Sequence, residues 1–507
     1  MADLALALDL GTGGCKASLW DSGGRCRGEV VTSCPTAHPR PGWHEQRPED
    51  WWDAAVSATR ALLADDPRLA QQVVGVALSG HSLGAVLLDG RGELVEDTTP
   101  LWSDGRAGEE AREFFSRVDE SRWYAMTGNG FSPPLYPLFT AMWFRRHRPQ
   151  AWARTRHLLG SKDYLNLRLT GEVATDPSYA SGSGCFDLRI GRYDADLAAA
   201  AGLDERLLPG VRASTDVVGP LTAEAAGALR LAAGTPVFTG GVDNACMALG
   251  SLGNRPGRAY AALGSSSWIT VTTTEPVVDE AARPFVFAHV VPGLHVSALS
   301  TFSSGTTMAW LADLVAPGTS MADLVDEGCT APLGARGLLF LPMLAGGTPL
   351  EGGADARGVL HGLDLSHRRP DVVRAAMEGI AAALRRSRDA IARLSARTAE
   401  APEGDLVVSG GGSRHPGWNQ VYADVLGVPL VRTAVDQQAA ALGAAATAFV
   451  GAGTWDGFDA VERPHEVLER YDPVPARAEE CARLCRRFDE AVRASAALTS
   501  AIRTTAG

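Results

Sequence analysis

The sequence predicts an α/β protein built from two domains that face each other across a cleft, and three observations lead there. At 507 residues the chain exceeds what one ordinary hydrophobic core serves. Short apolar segments of strand character alternate with amphipathic helical stretches, the pattern of strands covered by helices. One local design also occurs twice: ALALDLGTGGCKASLW at 5–20 and GRAYAALGSSSWITVTT at 257–273 each read strand, glycine turn with hydroxyl side chains, strand.

The first copy opens the chain. After Gly11, Thr12 and Gly13 comes the strand ASLWD, then the turn SGGR, then a third strand, CRGEVVTS. A dinucleotide-binding turn needs a third glycine where Lys16 stands, and a P-loop needs a spacing and a Ser/Thr that are absent. A hairpin turn can still hold polyphosphate through backbone N–H groups, the Thr12 hydroxyl and the Lys16 cation, while the Asp9 carboxylate positions Mg²⁺. A helix follows over 49–65, then strands VVGVALSG at 73–80 and AVLLD at 85–89. A second phase of the same alternation is expected to begin near TPVFTGG at 235–241. Val373, Met377, Ile380, Leu384 and Ile391 recur at helical spacing and predict a long helix over 371–394. DLVVSGGGSRHPGWNQVYADVLGVPLVRT reads strand, glycine turn, helix, strand, and AAALGAAATAFVGAG reads as an alanine-rich helix that packs closely inside a protein.

Bulk chemistry narrows the function. Hydrophobic residues make up 45% and charged residues 21%, the balance of a soluble globular chain. A net charge of −12 without any Lys/Arg run argues against nucleic acid as a partner. No apolar run reaches membrane-spanning length, and the N-terminus lacks a basic segment, so neither membrane insertion nor secretion is expected. The eight cysteines are scattered; Cys481 and Cys485 alone are close neighbours, on one face of a charged helix, and read as cytoplasmic thiols. The eleven histidines show no metal-ligand spacing.

The paired hairpins resemble the actin, Hsp70 and sugar-kinase superfamily, in which two ribonuclease H-like lobes grip a nucleotide. GVLHGLDLSHRRPDVVRAAMEG at 358–379 is similar to the C-terminal signature of the FGGY carbohydrate kinases. HPRPGWHEQRPEDWW, LWSDGR, SKDYLNLRLTGEVATDPSYASGSGCFD, TGGVDNA and SGGGSRHPGWNQVYADVLGVPL extend that resemblance, nearest to the xylulokinase branch, from residue 3 to about 475. It implies an N-terminal sugar-binding domain over 1–240, a C-terminal ATP-binding domain over 241–475 and a terminal helix over 476–507. The apolar positions of that helix suit packing on a lobe or on a second subunit equally.

The resemblance also implies roles. Transfer of a γ-phosphoryl group to a sugar hydroxyl needs a base for the hydroxyl proton and cations or N–H groups for the phosphoryl oxygens. The base is implied to be Asp243 of GGVDN; the competing role for that residue is to cap the helix beginning at NACMALGSLG. Asp9 is implied to place metal and phosphate, with Gly11, Thr12, Gly13 and Lys16 on the phosphates and Gly264, Ser265 and Ser266 meeting them from the other lobe. Gly410, Gly411 and Gly412, with Asn419 in the next helix, are implied to flank adenosine; the triple glycine also suits close packing of strand on helix.

The implied sugar contacts are His81, Ser82, Leu83, Trp102, Asp104, Asp243 and Asn244. Here the chain departs from the family: xylulokinases typically read Gly-Gln-Met-His-Gly where this chain has GHSLG at 80–84. Thr140 stands where a Lys is expected, and the AGGTP loop lacks its acidic residue. Trp102 and Asp104 suit a polyol, the one by its face and the other by its carboxylate. The expectation is therefore ATP-dependent, Mg²⁺-assisted phosphorylation of a ketose, D-xylulose to D-xylulose 5-phosphate, by a cytoplasmic enzyme of a kind that often forms homodimers. Another ketose or polyol, such as ribulose, L-xylulose or a four-carbon sugar, is the alternative within the class, and a non-catalytic actin-like ATP-binding protein the alternative outside it.

Overall fold

The computed structural model describes residues 3–398, 400–402 and 404–506, with side chains as far as Leu498. Two large sheets organise it. The first holds β1 (Leu4–Gly11), β2 (Gly14–Asp21), β3 (Cys26–Ser33), β4 (Val73–Gly80), β5 (Val217–Pro220) and β6 (Pro236–Val242) in the order β5-β6-β4-β1-β2-β3. The second holds β7 (Ala259–Leu263), β8 (Ser267–Thr273), β9 (Phe285–Ala288), β10 (His295–Thr301), β11 (Leu406–Ser409), β12 (Leu430–Thr433) and β13 (Val467–Tyr471) in the order β9-β10-β8-β7-β11-β12-β13.

Both sheets share one plan. In each, a hairpin (β1–β2, β7–β8) extends antiparallel to a third strand (β3, β10), and its first strand carries two parallel partners on the other side (β4 then β6, β11 then β12). The twice-occurring hairpin design is thus the start of two copies of the ribonuclease H-like sheet of actin-like proteins. The expectation that TPVFTGG opens the second phase is corrected: Pro236–Val242 is β6, parallel to β4, and closes the first sheet. An apolar strand reached by a crossover carries no local mark of the sheet it will join.

Alternation along β1 explains the layers. Leu4, Leu6, Leu8 and Leu10 point to one face, under α1 (Pro48–Leu62), while Ala5 and Ala7 point to the other. On that alanine side the first sheet's Ala77 and Phe238 and the second sheet's Tyr260, Ala262, Val407 and Val431 join a single apolar cluster. Two of the helices that follow, α2 (Ser161–Thr170) and α3 (Asp243–Gly250), flank β6. The second lobe adds α4 (Gly305–Val315), α5 (Arg369–Ser395), α6 (Pro416–Leu426), α7 (Ala439–Gly451) and α8 (Ala478–Ala506).

The alanine-rich α7 is buried from Ala439 to Phe449 and crosses α3 at backbone contact. A Cβ on Gly250 would lie 1.8 Å from the Ala439 carbonyl oxygen, and one on Gly443 2.0 Å from that of Cys246. Only glycine permits that approach. Cys481, Leu484, Phe488 and Val492 of α8 pack into the core of the second lobe, so this face of the terminal helix is spent on its own chain. All eight cysteines are free thiols, and burial pushes each of them above its ordinary pKa.

Candidate active site

Three glycine turns and one helix start converge between the lobes. At the first turn, strand register sets Asp9 opposite Lys16 on one side and Ser79 on the other. Burial raises the Asp9 pKa, against the pull of the Lys16 ammonium. The Lys16 Nζ donates to the Gln437 carbonyl of the second lobe at 3.1 Å and stands 3.8 Å from Glu29. Beside it, the Thr12 hydroxyl accepts from Trp102 Nε1 at 2.9 Å. Gly11 is partly open, and Gly13 is exposed with open space where a side chain would project.

The second turn joins β7 to β8. Gly264 and Ser265 are exposed, and their carbonyls accept from the N–H groups of Ser304, Gly305 and Thr306 at the start of α4, at 3.0–3.1 Å. Ser266 faces the cavity. The third turn lies directly behind the second: Gly410 has φ +95°, and a Cβ there would sit 2.6 Å from the Leu263 carbonyl oxygen; at Gly412 the figure is 3.0 Å. Close packing therefore requires those two glycines, whereas Gly411 has open space. Asn419 is corrected in placement: it is fully buried, its amide donating to the Ser413 carbonyl at 2.6 Å, so it braces the turn from behind.

Asp243 is the first residue of α3. Its carboxylate Oδ1 accepts from the backbone N–H and the side-chain amide of Asn244, both at 2.8 Å, and the helix receives no side-chain cap. The capping role thus does not describe it. Burial at the cleft floor and the nearby Asp9 carboxylate push its pKa up to about 7, against the two Asn244 bonds. A carboxylate poised there is suited to taking a proton at neutral pH.

Asp243 and Asn244 open onto a cavity of about 260 Å³, just under the usual range for ligand sites. Thr12, Ser82, Ser266 and Ser300 add hydroxyls, and Trp102, Phe131, Trp268, Phe285 and Phe302 form aromatic walls, with Phe131 and Phe285 stacked at 4.3 Å. Phe131, Met247, Trp268, Phe285, Ser300 and Phe302 were not anticipated from the sequence. Only Trp268 carried a signal, since it lies two residues beyond Ser266, where the strand leaves the turn.

Of GHSLG, Ser82 alone faces the cavity. His81 turns into the interior with 1% exposure, its ring edge-on to Trp51 at 5.2 Å and both ring nitrogens unpartnered. Burial pushes its pKa down to about 4, so it is neutral. Leu83 has φ +60° and packs in the apolar core against Gly182. Asp104 is buried too, accepting from the His44 N–H at 2.7 Å and from Arg106, whose guanidinium also meets Glu45 and lies over Trp43. The structure corrects all three as side chains facing the cavity: each is consumed by packing or pairing behind the wall.

No cluster of three His, Cys, Asp or Glu fit to hold a metal ion occurs among the described residues. The two cleft carboxylates nevertheless match what Mg²⁺ requires in nucleotide sites, one or two carboxylates with the remaining positions left to phosphate and water. The repulsion of Asp243 by Asp9 fits a cation there.

Comparison with known proteins places this geometry. The model of the FGGY family of carbohydrate kinases, N-terminal domain, matches residues 4–250, and that of the C-terminal domain matches 259–452. A xylulose kinase of Lactococcus lactis subsp. lactis (strain IL1403) is 31% identical over 463 residues, covering 90% of each chain. One from Klebsiella pneumoniae is 32% identical over 452 residues, 88% of this chain and 89% of its own. The crystal structure of xylulose kinase from Rhodospirillum rubrum superposes with a TM-score of 0.89 at 31% identity, covering 98% of this chain and 100% of that one.

Proposed function

The chain belongs to the FGGY family of carbohydrate kinases, and from that premise we propose that it transfers the γ-phosphoryl group of ATP to the terminal hydroxyl of D-xylulose, giving D-xylulose 5-phosphate. The observation that carries this reading is Asp243, set on the floor of an aromatic-walled cavity between the phosphate turns with its pKa near 7. Relatives named xylulose kinase, about 30% identical over about nine-tenths of the chain, support the sugar.

Asp243 takes the hydroxyl proton as the sugar oxygen attacks, and Asn244 holds the carboxylate in line. The N–H groups of Gly11 and Gly13, the Thr12 hydroxyl and the Lys16 ammonium receive phosphoryl oxygens from one side, and Gly264, Ser265 and Ser266 from the other. The turn at Gly410, Gly411 and Gly412 borders adenosine, with Asn419 holding that turn. Asp9, with Asp243 near it, would hold Mg²⁺, which when bound neutralises phosphate charge. Trp102 and its aromatic neighbours stack on C–H faces and exclude water, and Ser82 and Asn244 bond hydroxyls.

Ser82 also favours one second reading. As the one GHSLG side chain on the cavity, it stands where xylulokinases typically carry the larger Met, which leaves room for another ketose or polyol such as ribulose, L-xylulose or a four-carbon sugar. A non-catalytic actin-like ATP-binding protein has no use for a carboxylate poised at Asp243. We place the enzyme in the cytoplasm, supported by eight unpaired thiols and by the absence, among the described residues, of any helix long and apolar enough to cross a membrane. A homodimer is the proposed assembly, to be read by light scattering.

ADP release measured with D-xylulose, L-xylulose, D- and L-ribulose, erythrulose and the matching polyols tests the reading. Highest kcat/KM on D-xylulose supports it, preference for another member moves the assignment to that sugar, and no turnover on any overturns it.

A further inference from the structure

The strand that delivers Asp243 is interrupted just before it arrives. Between Phe238 and Gly241 the pairing of β6 with β4 slips register, and Gly240 takes φ +69° with its Cα pressed against the Leu78 backbone. Such a bulge removes the Thr239 carbonyl from the sheet ladder and leaves it to find donors elsewhere. It finds the ammonium of Lys162 at 3.0 Å and the amide of Asn166 at 3.1 Å, both from α2.

A fully buried ammonium needs counter-charge. Lys162 has Asp163 at 2.6 Å and Asp176 at 3.3 Å. The second oxygen of Asp176 accepts from the N–H and hydroxyl of Ser178 and from the Ser214 hydroxyl at 3.0 Å. With its proton committed to Asp176, the Ser178 oxygen is left as an acceptor, and it accepts the N–H of Val242 at 2.9 Å. Val242 is the residue before Asp243. The buried charges therefore grip the glycine turn at both ends, by the Thr239 carbonyl upstream and the Val242 N–H downstream. None of these groups reaches the cavity.

We infer that Lys162, Asp176 and Ser178 are positioning residues for phosphoryl transfer, which fix the direction of the Asp243 carboxylate through the bulged turn. The inference rests on the reading of Asp243 as the base. A buried ion network is not required merely to stabilise a fold, since apolar residues of like volume serve as well. Here it aims a turn whose two glycines would otherwise leave α3 free to tilt.

The test is Ser178→Ala, with Ser178→Thr, Ser214→Ala and Asp243→Asn beside it, each assayed for kcat and for KM of sugar and ATP after circular dichroism has confirmed folding. Misaiming a base costs turnover rather than binding, so S178A is expected to lose about 10- to 100-fold in kcat with both KM values within about threefold. S178T, which keeps the hydroxyl, is expected to recover to within about threefold of the parent, and S214A, one bond further out, to lose about threefold. Folded S178A with parental kcat overturns the inference, as does a rise in KM at constant kcat. Should S178A fail to fold, S214A decides: lowered kcat at unchanged KM supports the network, and parental kcat overturns it. D243N separates the two levels, because retained turnover there removes the base itself, whereas a dead D243N beside a fully active S178A removes only the network.

Discussion

The indole N–H of Trp102 donates to the hydroxyl of Thr12 at 2.9 Å, which joins the wall of the aromatic cavity to the first glycine turn. A bond of this kind contributes about 0.5–1.5 kcal/mol, and because Thr12 is its acceptor, the hydroxyl keeps its own proton free to donate to a phosphoryl oxygen. Trp102→Phe keeps a ring and removes the donor. KM for ATP is expected to rise by about three- to tenfold as the Thr12 hydroxyl loses its orienting bond; an unchanged KM would mean that Trp102 does not orient Thr12.

Asp243→Ala should leave ATP affinity within about twofold while kcat falls by about 10²- to 10⁴-fold, the usual span for a lost general base. Isothermal titration with ATP and a steady-state assay read the two quantities separately. Near-parental turnover would remove the assignment.

The pH dependence follows from the same carboxylate. Asp243 must be ionised to accept a proton, and its pKa is pushed up to about 7, so kcat/KM for sugar is expected to climb as pH rises and to level off above about 7. Stability runs the opposite way. A carboxyl held up from 3.8 to about 7 on folding keeps its proton in the native state while the unfolded chain releases it. Its stabilising contribution is full below the unfolded value and is lost as pH rises through about 7. Asp243→Asn should therefore raise Tm at pH ~8 by a few degrees, and by less at pH ~5. Equal shifts at both would contradict the raised pKa.

The crossing of α3 over α7 gives a prediction remote from any ligand. A methyl at Gly443 would meet the Cys246 carbonyl oxygen at 2.0 Å, which neither buried helix can yield to without moving. Gly443→Ala is expected to cost about 1–3 kcal/mol in denaturant unfolding and to lower kcat as α3 carries Asp243 off line. Unchanged stability would mean that the helices separate easily.

His81 offers the reverse case. Its buried ring has no hydrogen-bond partner and is neutral. His81→Phe should keep the sugar KM within about twofold and leave Tm equal or higher, since an unpartnered polar group costs about 1–3 kcal/mol when buried. A tenfold rise in KM would show that the ring reaches the substrate.

The sequence was most legible where chemistry is local. Both hairpins declare themselves through alternation and glycine, and GGVDN places Asp243 because the turn and its acid are contiguous. Phe285 and Phe302 were illegible, since they reach the cavity only when β10 is laid beside β8 and the edge strand β9 beside β10. His81 and Leu83 misled for a related reason: beyond the end of β4, side-chain direction follows the loop and not the motif. Leu83 takes a left-handed backbone and turns inward, and Ser82 is left facing out. Asp104 beside Trp102 looked like a sugar ligand because nothing in LWSDGR announces that Arg106, two residues on, folds back upon it.

The raised pKa of every native thiol has a practical consequence. A cysteine introduced on the open surface of each lobe would keep a pKa near 8.5 and react with maleimide dyes well ahead of the eight it joins. Fluorescence transfer between two such dyes would then follow the distance across the cleft in single molecules, as nucleotide and sugar are added in turn, with every native cysteine left in place.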